Sequence, residues 1–166
     1  MTLGMVILGR QGSGKGTQAV RIAQQFQVVH ISTGDMLRSA VQEGTELGLK
    51  AKSIMDAGGL VTDDVVNGIV AERLAKDDVQ NSGFLLDGYP RTVGQATELK
   101  QLVGESLKLA INLDVSIEEV TQRMMSRGRE DDTPEAIQRR LELYEAETAP
   151  LIEWFESENI LCVIDG

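Results

Sequence analysis

The N-terminal segment places a strand, a glycine-rich loop and a helix in immediate succession. The apolar run Leu3–Leu8 has the length of a buried strand, and Lys15–Phe26 carries apolar side chains at helical spacing. Between them lies GRQGSGKGTQ, with glycine at positions 9, 12, 14 and 16. Such glycines let successive backbone N–H groups turn inward at the start of a helix, which forms an anion-binding site. The segment therefore predicts a βα unit with a phosphate-binding loop.

The loop departs from the usual form at one position. The common pattern, G-x-x-x-x-G-K, continues with serine or threonine, whereas here Gly16 follows Lys15 and Thr17 comes one place later. We expect Lys15 to bring its charge to the β- and γ-phosphates of a nucleotide, and Thr17 is a candidate contact for a phosphate or for Mg²⁺. The other residues of the predicted cradle are Gly12, Ser13, Gly14 and Gly16.

Strand-like and helix-like segments alternate along the rest of the chain. Four further apolar runs have strand length: Val28–Ile31, Phe84–Asp87, Leu107–Asp114 and Ile160–Ile164. Such alternation is typical of βαβ units, whose right-handed crossovers place parallel strands in one sheet. We therefore predict an α/β fold with a five-stranded parallel sheet and helices on both faces.

Two segments interrupt this alternation. Thr33–Asp56 is helical and has no strand before the next helix, which predicts a small inserted subdomain, and Ser126–Thr133 is a short polar loop between two helices. Both would lie at the carboxyl ends of strands, where doubly wound sheets bind ligands. Helix starts are predicted by two capping boxes and by one threonine followed by proline: Thr92 with Gln95, Ser116 with Glu119, and Thr133 with Pro134.

The charge and the cysteine content exclude several function classes. The formal net charge is −10, from 26 acidic and 16 basic residues, which makes nucleic acid a poor partner. Cys162 is the only cysteine, which excludes an intrachain disulfide and a cysteine-based zinc site. No run approaches a membrane span, and the N-terminal apolar run is too short for a signal peptide. We expect a cytoplasmic protein with neither nucleic acid nor membrane as a partner.

A carboxylate and several guanidinium groups can complete a phosphate site. The run Phe84–Asp87 ends in a carboxylate suited to orient water on Mg²⁺, because this ion keeps much of its hydration. Arg91 follows four residues later and can clamp a phosphate with two hydrogen bonds. Arg123 and Arg127 are spaced i, i+4 and share one helix face. These cations would attract phosphate against the negative charge of the chain as a whole.

Several stretches resemble one known family. GRQGSGKGTQ has the G-x-x-G-x-G-K-G-T-Q form of nucleoside monophosphate kinases, with Arg10 and Gln11 in place of a small residue and a proline. HISTGDMLR (30–38), GGLV (58–61) and FLLDGYPRTVGQ (84–95) resemble the monophosphate-binding segments of adenylate kinases. Matching arginines are Arg123, Arg127, Arg129 and Arg140. The resemblance covers essentially the whole chain and implies an adenylate kinase of the short-lid type, with a three-layer P-loop NTPase fold.

The resemblance implies an AMP site. Thr33 would contact the adenine side of AMP, Arg38 its phosphate, and Gln95 would hydrogen-bond the adenine through an amide that both donates and accepts. Further members of the implied site are Gly59, Leu60, Val61, Gly88, Tyr89, Pro90, Arg91, Arg129 and Arg140.

The resemblance also implies the reaction Mg·ATP + AMP ⇌ 2 ADP. Arg123 and Arg127 would cover ATP beside the loop, and Asp87 and Asp35 would act on Mg²⁺ through water, without a direct protein ligand. No zinc is expected, because the short lid lacks the four cysteines of longer-lid relatives. The implied catalytic cations are Lys15, Arg91, Arg127, Arg129 and Arg140.

The expected organisation is one P-loop kinase domain, with a core at 1–31 and 62–166, an AMP-binding subdomain at 32–61 and a short lid at about 126–133. A monomer is the default for this architecture. The family usually has one more helix after the fifth strand, and without it a sheet face would be uncovered and stability lowered. Two alternatives stay open. The first is a UMP/CMP kinase, or a kinase that uses GTP as donor, although Thr33 and Gln95 favour AMP as acceptor. The second is a nucleotide-binding module that lacks turnover because that helix is missing.

Overall fold

One parallel sheet organises the chain, for which the computed structural model describes residues 2–57, 61–128 and 133–166. The strands are β1 (Gly4–Gly9), β2 (Val29–Ser32), β3 (Phe84–Asp87), β4 (Leu107–Asp114) and β5 (Leu161–Asp165). Every pairing is parallel, and the order across the sheet is β2-β3-β1-β4-β5. The predicted five-stranded parallel sheet is confirmed.

Nine α-helices lie within the described ranges: α1 (Lys15–Phe26), α2 (Thr33–Glu43), α3 (Glu46–Asp56), α4 (Asp63–Leu74), α5 (Asp77–Ser82), α6 (Val93–Val103), α7 (Ile117–Arg127), α8 (Pro134–Leu143) and α9 (Ala149–Ser157). None of them is long and apolar enough to cross a membrane. A 3-10 turn (Gly104–Ser106) precedes β4, and a π-helical turn (Tyr144–Thr148) joins α8 to α9. The predicted helical insertion is the pair α2 and α3, which separate at Gly44, where φ is 68°.

Alternate residues of the central strands enter two cores on opposite faces of the sheet. Val6 and Leu86 pack with side chains of α2 to α6 and α9, whereas Met5 and Leu85 pack with α1. All four side chains are fully buried. A smaller cluster at the end of β4 packs beneath α7 and α8. Helices therefore cover both faces, and the predicted three layers are confirmed.

Side-chain hydroxyl groups cap four helices near the candidate site: α2, α6, α7 and α8. Each accepts a hydrogen bond of 3.2 Å from the backbone N–H three residues later, and the four are Ser32, Thr92, Ser116 and Thr133. In the two predicted capping boxes the side chain of the third residue has another partner. Gln95 accepts from the Arg91 N–H at 2.7 Å, and Glu119 accepts from the Arg123 guanidinium at 3.0 Å. The predicted helix starts are confirmed. In the two capping boxes the hydroxyl group accepts the backbone N–H as predicted, whereas the side chain of Gln95 or Glu119 bonds elsewhere.

The cap at Ser116 gives a prediction for stability. We expect Ser116→Ala to lower the free energy of unfolding by about 1 kcal/mol, because the Glu119 N–H loses its acceptor. Denaturant-induced unfolding measures this. Ser53→Ala is the matched control, since Ser53 is exposed within α3, and it should change stability by less than about 0.5 kcal/mol. Equal stability of the Ser116 variant and the parent would show that the cap contributes nothing.

Candidate active site

The phosphate loop between β1 and α1 depends on glycine at two positions. Gly12 and Gly14 both have φ of 86°, a backbone region that other residues rarely adopt. A Cβ atom at Gly12 would also lie 3.1 Å from Met124 Cγ. At Gly14 and Gly16, by contrast, no atom of the described chain outside the adjoining residues and the backbone of α1 lies within 4 Å of such a Cβ. The N-terminus of α1 thus opens onto free space, where its unpaired N–H groups and dipole favour an anion.

Lys15 and Asp87 form an ion pair at the centre of the site. The Lys15 ammonium donates to Oδ1 of Asp87, and the other carboxylate oxygen lies 3.2 Å from Nε2 of His30. The sheet order explains this contact, because β3 lies between β2 and β1 and its last residue is in register with Ser32 and Ile7. Asp87 is only 7% exposed, so these partners replace water as the stabilising groups of its charge.

A first cleft, called here the loop cleft, lies between the phosphate loop and α7. Its volume is about 430 Å³, and it is lined by Arg10, Gln11, Gly12, Gly14, Lys15, Gly16, Thr17, Arg123 and Arg127. Arg123 Nη1 donates to the carbonyl oxygen of Ser13 at 3.2 Å, which links α7 to the loop. The predicted pair Arg123 and Arg127 therefore faces the loop.

A second cleft, called here the turn cleft, lies beside the turn that follows β3. Its volume is about 400 Å³, and its lining includes Gly9, Gln11, Lys15, Gly88, Pro90, Arg91, Arg140, Tyr144, Glu147 and Thr148. Gln11 and Lys15 line both clefts. Lys15 therefore stands where the loop cleft and the turn cleft meet.

The turn after β3 is held by one buried amide. Gln95 is 6% exposed; its Oε1 accepts the Arg91 N–H at 2.7 Å, and its Nε2 donates to Asp63 at 2.8 Å. The Arg91 side chain donates through Nε to the Gly88 carbonyl oxygen at 3.0 Å. Because an amide has two N–H groups and two lone pairs, Gln95 keeps one of each for a further partner.

The first turn of α2 lies against the same region. Thr33 Oγ1 donates to the Asp87 carbonyl oxygen at 3.4 Å. Arg38 pairs with Asp35, and both side chains point to solvent, at 71% and 68% exposed. The Ser32 hydroxyl and the Arg38 guanidinium hold the pKa of Asp35 below its ordinary value.

Residues 7–160, which include the loop and most of both cleft linings, match the model of one protein family, described as adenylate kinase. The adenylate kinase of Oenococcus oeni (strain ATCC BAA-331 / PSU-1) is 48% identical over 100% of this chain and 90% of its own length. Those of Stenotrophomonas maltophilia (strain K279a) and Xanthomonas campestris pv. campestris (strain 8004) are 46% and 47% identical, over 98% of this chain and 90% of their own lengths. The chain belongs to the adenylate kinase family.

Membership in the adenylate kinase family confirms the predicted family, fold class and enzyme class. The chain is a nucleoside monophosphate kinase, a phosphotransferase on a P-loop α/β fold. These relatives are named adenylate kinase, and that name favours neither the UMP/CMP alternative nor the module without turnover.

Of the site residues predicted from the adenylate kinase resemblance that the structure describes, eleven line one of the two clefts. Eight line neither of these clefts: Ser13, Thr33, Asp35, Arg38, Val61, Asp87, Tyr89 and Gln95. The side chain of Tyr89 lies in the core at 2% exposed, with its hydroxyl donating to Asn67, and burial raises its pKa. Val61 is half-buried against the same core. The buried side chain of Tyr89 is therefore unavailable to a nucleotide. Gly59, Leu60 and Arg129 lie outside the described residues, and the role of each predicted residue stays a prediction.

Several residues at the site could not be identified from the sequence. Asp63 and Asn67 contact Gln95 and Tyr89 across 32 and 22 positions of the chain, and no local pattern links them. Tyr144, Glu147 and Thr148 line the turn cleft from the π-helical turn, whose unusual hydrogen bonding has no clear sequence signal. Arg10 was apparent only as a departure from the family pattern.

Proposed function

We propose that the chain transfers the terminal phosphoryl group of Mg·ATP reversibly to AMP, forming two ADP. One observation carries this proposal: Lys15 lines both clefts, so a phosphoryl group beside its ammonium group is accessible from either side. A protein that binds a single nucleotide needs only the cleft beside its phosphate loop. Two clefts that meet at one lysine suit a donor and an acceptor.

The loop cleft is assigned to ATP. Its phosphates would lie over the N-terminus of α1, where the N–H groups, the helix dipole and Lys15 all favour negative charge. Arg123 and Arg127 would cover the nucleotide from α7, and the contact of Arg123 with Ser13 holds it on the loop before ATP binds. The other proposed contacts are Gly12, Gly14, Gly16 and Thr17.

The turn cleft and the adjoining surface of α2 are assigned to AMP. Arg91 and Arg140 both line this cleft, and guanidinium groups match a phosphate in charge and geometry. The free N–H and lone pair of Gln95 supply what an adenine edge requires. In this proposal 32–61 forms the AMP-binding subdomain and about 126–133 the lid over a core of 1–31 and 62–166. The other proposed contacts are Thr33, Arg38, Gly59, Leu60, Val61, Gly88, Tyr89, Pro90 and Arg129.

In the transfer step, an oxygen of the AMP phosphate attacks the γ-phosphorus of ATP. The bond from that phosphorus to the β–γ bridging oxygen breaks, and its electron pair leaves with ADP. No general base is needed, because the attacking phosphate is already anionic at neutral pH. The equatorial oxygens carry the charge of the transition state, which fixed cations stabilise: Lys15, Arg91, Arg127, Arg129 and Arg140.

Asp87 fits a role beside the Mg²⁺ that accompanies ATP. Its carboxylate is adjacent to Lys15, and each oxygen retains a lone pair beyond its contact with Lys15 or His30. Because Mg²⁺ prefers oxygen and keeps several waters, Asp87 would hold such water molecules, with Asp35 as a second candidate. The bound ion would neutralise phosphate charge.

An assay of ADP formation from Mg·ATP, with AMP, UMP, CMP or GMP as acceptor, tests the proposal. We expect turnover with AMP and little with the others. Preference for UMP or CMP would contradict the acceptor assignment, and a folded protein without turnover would contradict the reaction. As a control for two sites, two adenosines joined by five phosphates should bind at least about 100-fold more tightly than ATP, because one molecule spans both clefts.

We further infer that the chain works as a cytoplasmic monomer with nucleotides as its only partners. The net charge of −10 supports the monomeric state and the absence of nucleic acid as a partner, since it opposes association with nucleic acid and between copies of the chain.

A further inference from the structure

The side chain of Arg10 leaves the phosphate loop and joins it to two distant segments. Nη1 donates to the Val115 carbonyl oxygen at 3.1 Å and lies 3.8 Å from a carboxylate oxygen of Asp114, at the end of β4. Nη2 donates to Glu145, and the guanidinium carbon lies 5.4 Å from the ring centre of Tyr144. One residue therefore connects the loop, β4 and the segment after α8.

The charge of Arg10 is directed away from the nucleotide. Although the residue borders the loop cleft, its guanidinium faces the carboxylates of Asp114 and Glu145, and its side chain is only 19% exposed. Its Nε is buried and has no hydrogen-bond partner in the described part of the chain. Desolvation strengthens the attraction between a guanidinium and an aromatic ring such as that of Tyr144. The guanidinium of Arg10 thus serves contacts within the protein.

The segment that Arg10 contacts adjoins the helix of a proposed catalytic arginine. Tyr144 and Glu145 begin the π-helical turn, and α8, immediately before it, carries Arg140 about one helical turn upstream. A π turn is a rare irregularity that is frequently found at functional sites. Arg140 and Tyr144 line the turn cleft together with Lys15. A fixed start of the π turn therefore fixes the place of Arg140 relative to the loop.

We propose that Arg10 is a positioning residue for phosphoryl transfer: it holds the π-helical turn against the phosphate loop and so keeps Arg140 in the turn cleft, which Lys15 also lines. This inference rests on the proposed function. Because Arg10 acts through Arg140, which lines the cleft assigned to AMP, its loss lowers turnover and weakens the binding of AMP, and it leaves the binding of ATP largely unchanged.

The test compares Arg10→Ala, Arg140→Met and the double variant, with radiolabelled ATP so that slow turnover is measurable. Arg10→Ala should lower kcat about 10- to 100-fold, the range expected when a reacting group shifts by about 1 Å. The KM for ATP should stay within about threefold, whereas the KM for AMP should rise, because Arg140 lines the cleft assigned to AMP. In the Arg140→Met background, Arg10→Ala should cause no further loss, since the group it positions is gone. Arg10→Lys should restore only part of kcat, because an ammonium lacks the planar fork.

Two outcomes would overturn the inference. Losses that multiply in the double variant would mean that Arg10 acts independently of Arg140. A raised KM for ATP with unchanged kcat would make Arg10 a nucleotide ligand instead. Should Arg10→Ala not fold, Glu145→Ala tests the same link from the partner side, where the Glu145 side chain is 46% exposed, and an unchanged kcat there would equally overturn the inference. An inactive parent chain would instead refute the proposed function.

Discussion

Lys15→Met is expected to lower kcat by about 10³-fold, because it removes a fixed positive charge from the point where the two clefts meet. Methionine keeps the apolar stem of lysine and preserves the packing of the loop. Since the ammonium would interact with the phosphates before and during transfer, the KM for ATP should also rise. Steady-state ADP formation over a range of ATP concentrations separates the two effects.

The same substitution changes the surroundings of Asp87, so folding must be measured separately. Asp87 is 7% exposed and would keep only His30 of its two side-chain partners. We expect the free energy of unfolding to fall by about 1–3 kcal/mol, the usual cost of a buried polar group that loses its partner. Lys108→Met is the matched control, because Lys108 is exposed on β4, and its turnover should equal that of the parent. If Lys15→Met were folded and kept more than about a tenth of the parent kcat, the central role of Lys15 would be wrong.

The strands and the first helix could be predicted because their signals are local. Buried parallel strands are continuous apolar runs, and the runs Phe84–Asp87 and Leu107–Asp114 agree with β3 and β4 to the residue. The other three strands begin and end one residue later than their apolar runs, since pairing with neighbouring strands sets their bounds. The approach of Lys15 to Asp87 was also predictable in outline, because the carboxyl ends of parallel strands meet at one edge of the sheet.

The contacts that orient the site could not be predicted, because they join residues far apart in the chain. Arg10 and Glu145 are 135 positions apart, and they meet only once α8 and the π-helical turn have packed beside the loop. The amide of Gln95 shows the same limit. Its match to a family residue implied a contact with adenine, whereas its bonds to Asp63 and the Arg91 N–H depend on where α4 packs.

Arg91→Ala is expected to reduce kcat by about 10³- to 10⁵-fold, the range known for arginines that stabilise a transferring phosphoryl group. The turn that presents Arg91 should survive the substitution. Its bond to Gln95 uses the backbone N–H of Arg91, which alanine retains. The loss of the hydrogen bond from Nε to the Gly88 carbonyl oxygen should cost about 1 kcal/mol of stability. The Arg91→Ala variant should therefore have a greatly reduced kcat and a melting temperature close to that of the parent.

Two further variants separate the role of the Arg91 guanidinium from that of its charge. Arg91→Lys keeps the charge and loses the planar fork, so its kcat should lie between those of Arg91→Ala and the parent. Arg139→Ala removes an exposed arginine next to Arg140 and should leave kcat unchanged. This result would show that turnover does not depend on every positive charge near the site. If Arg91→Ala retained the parent kcat and only raised the KM for AMP, Arg91 would bind the acceptor without stabilising the transition state. Equal losses in Arg91→Ala and Arg139→Ala would point to a general effect of positive charge and would refute a specific contact.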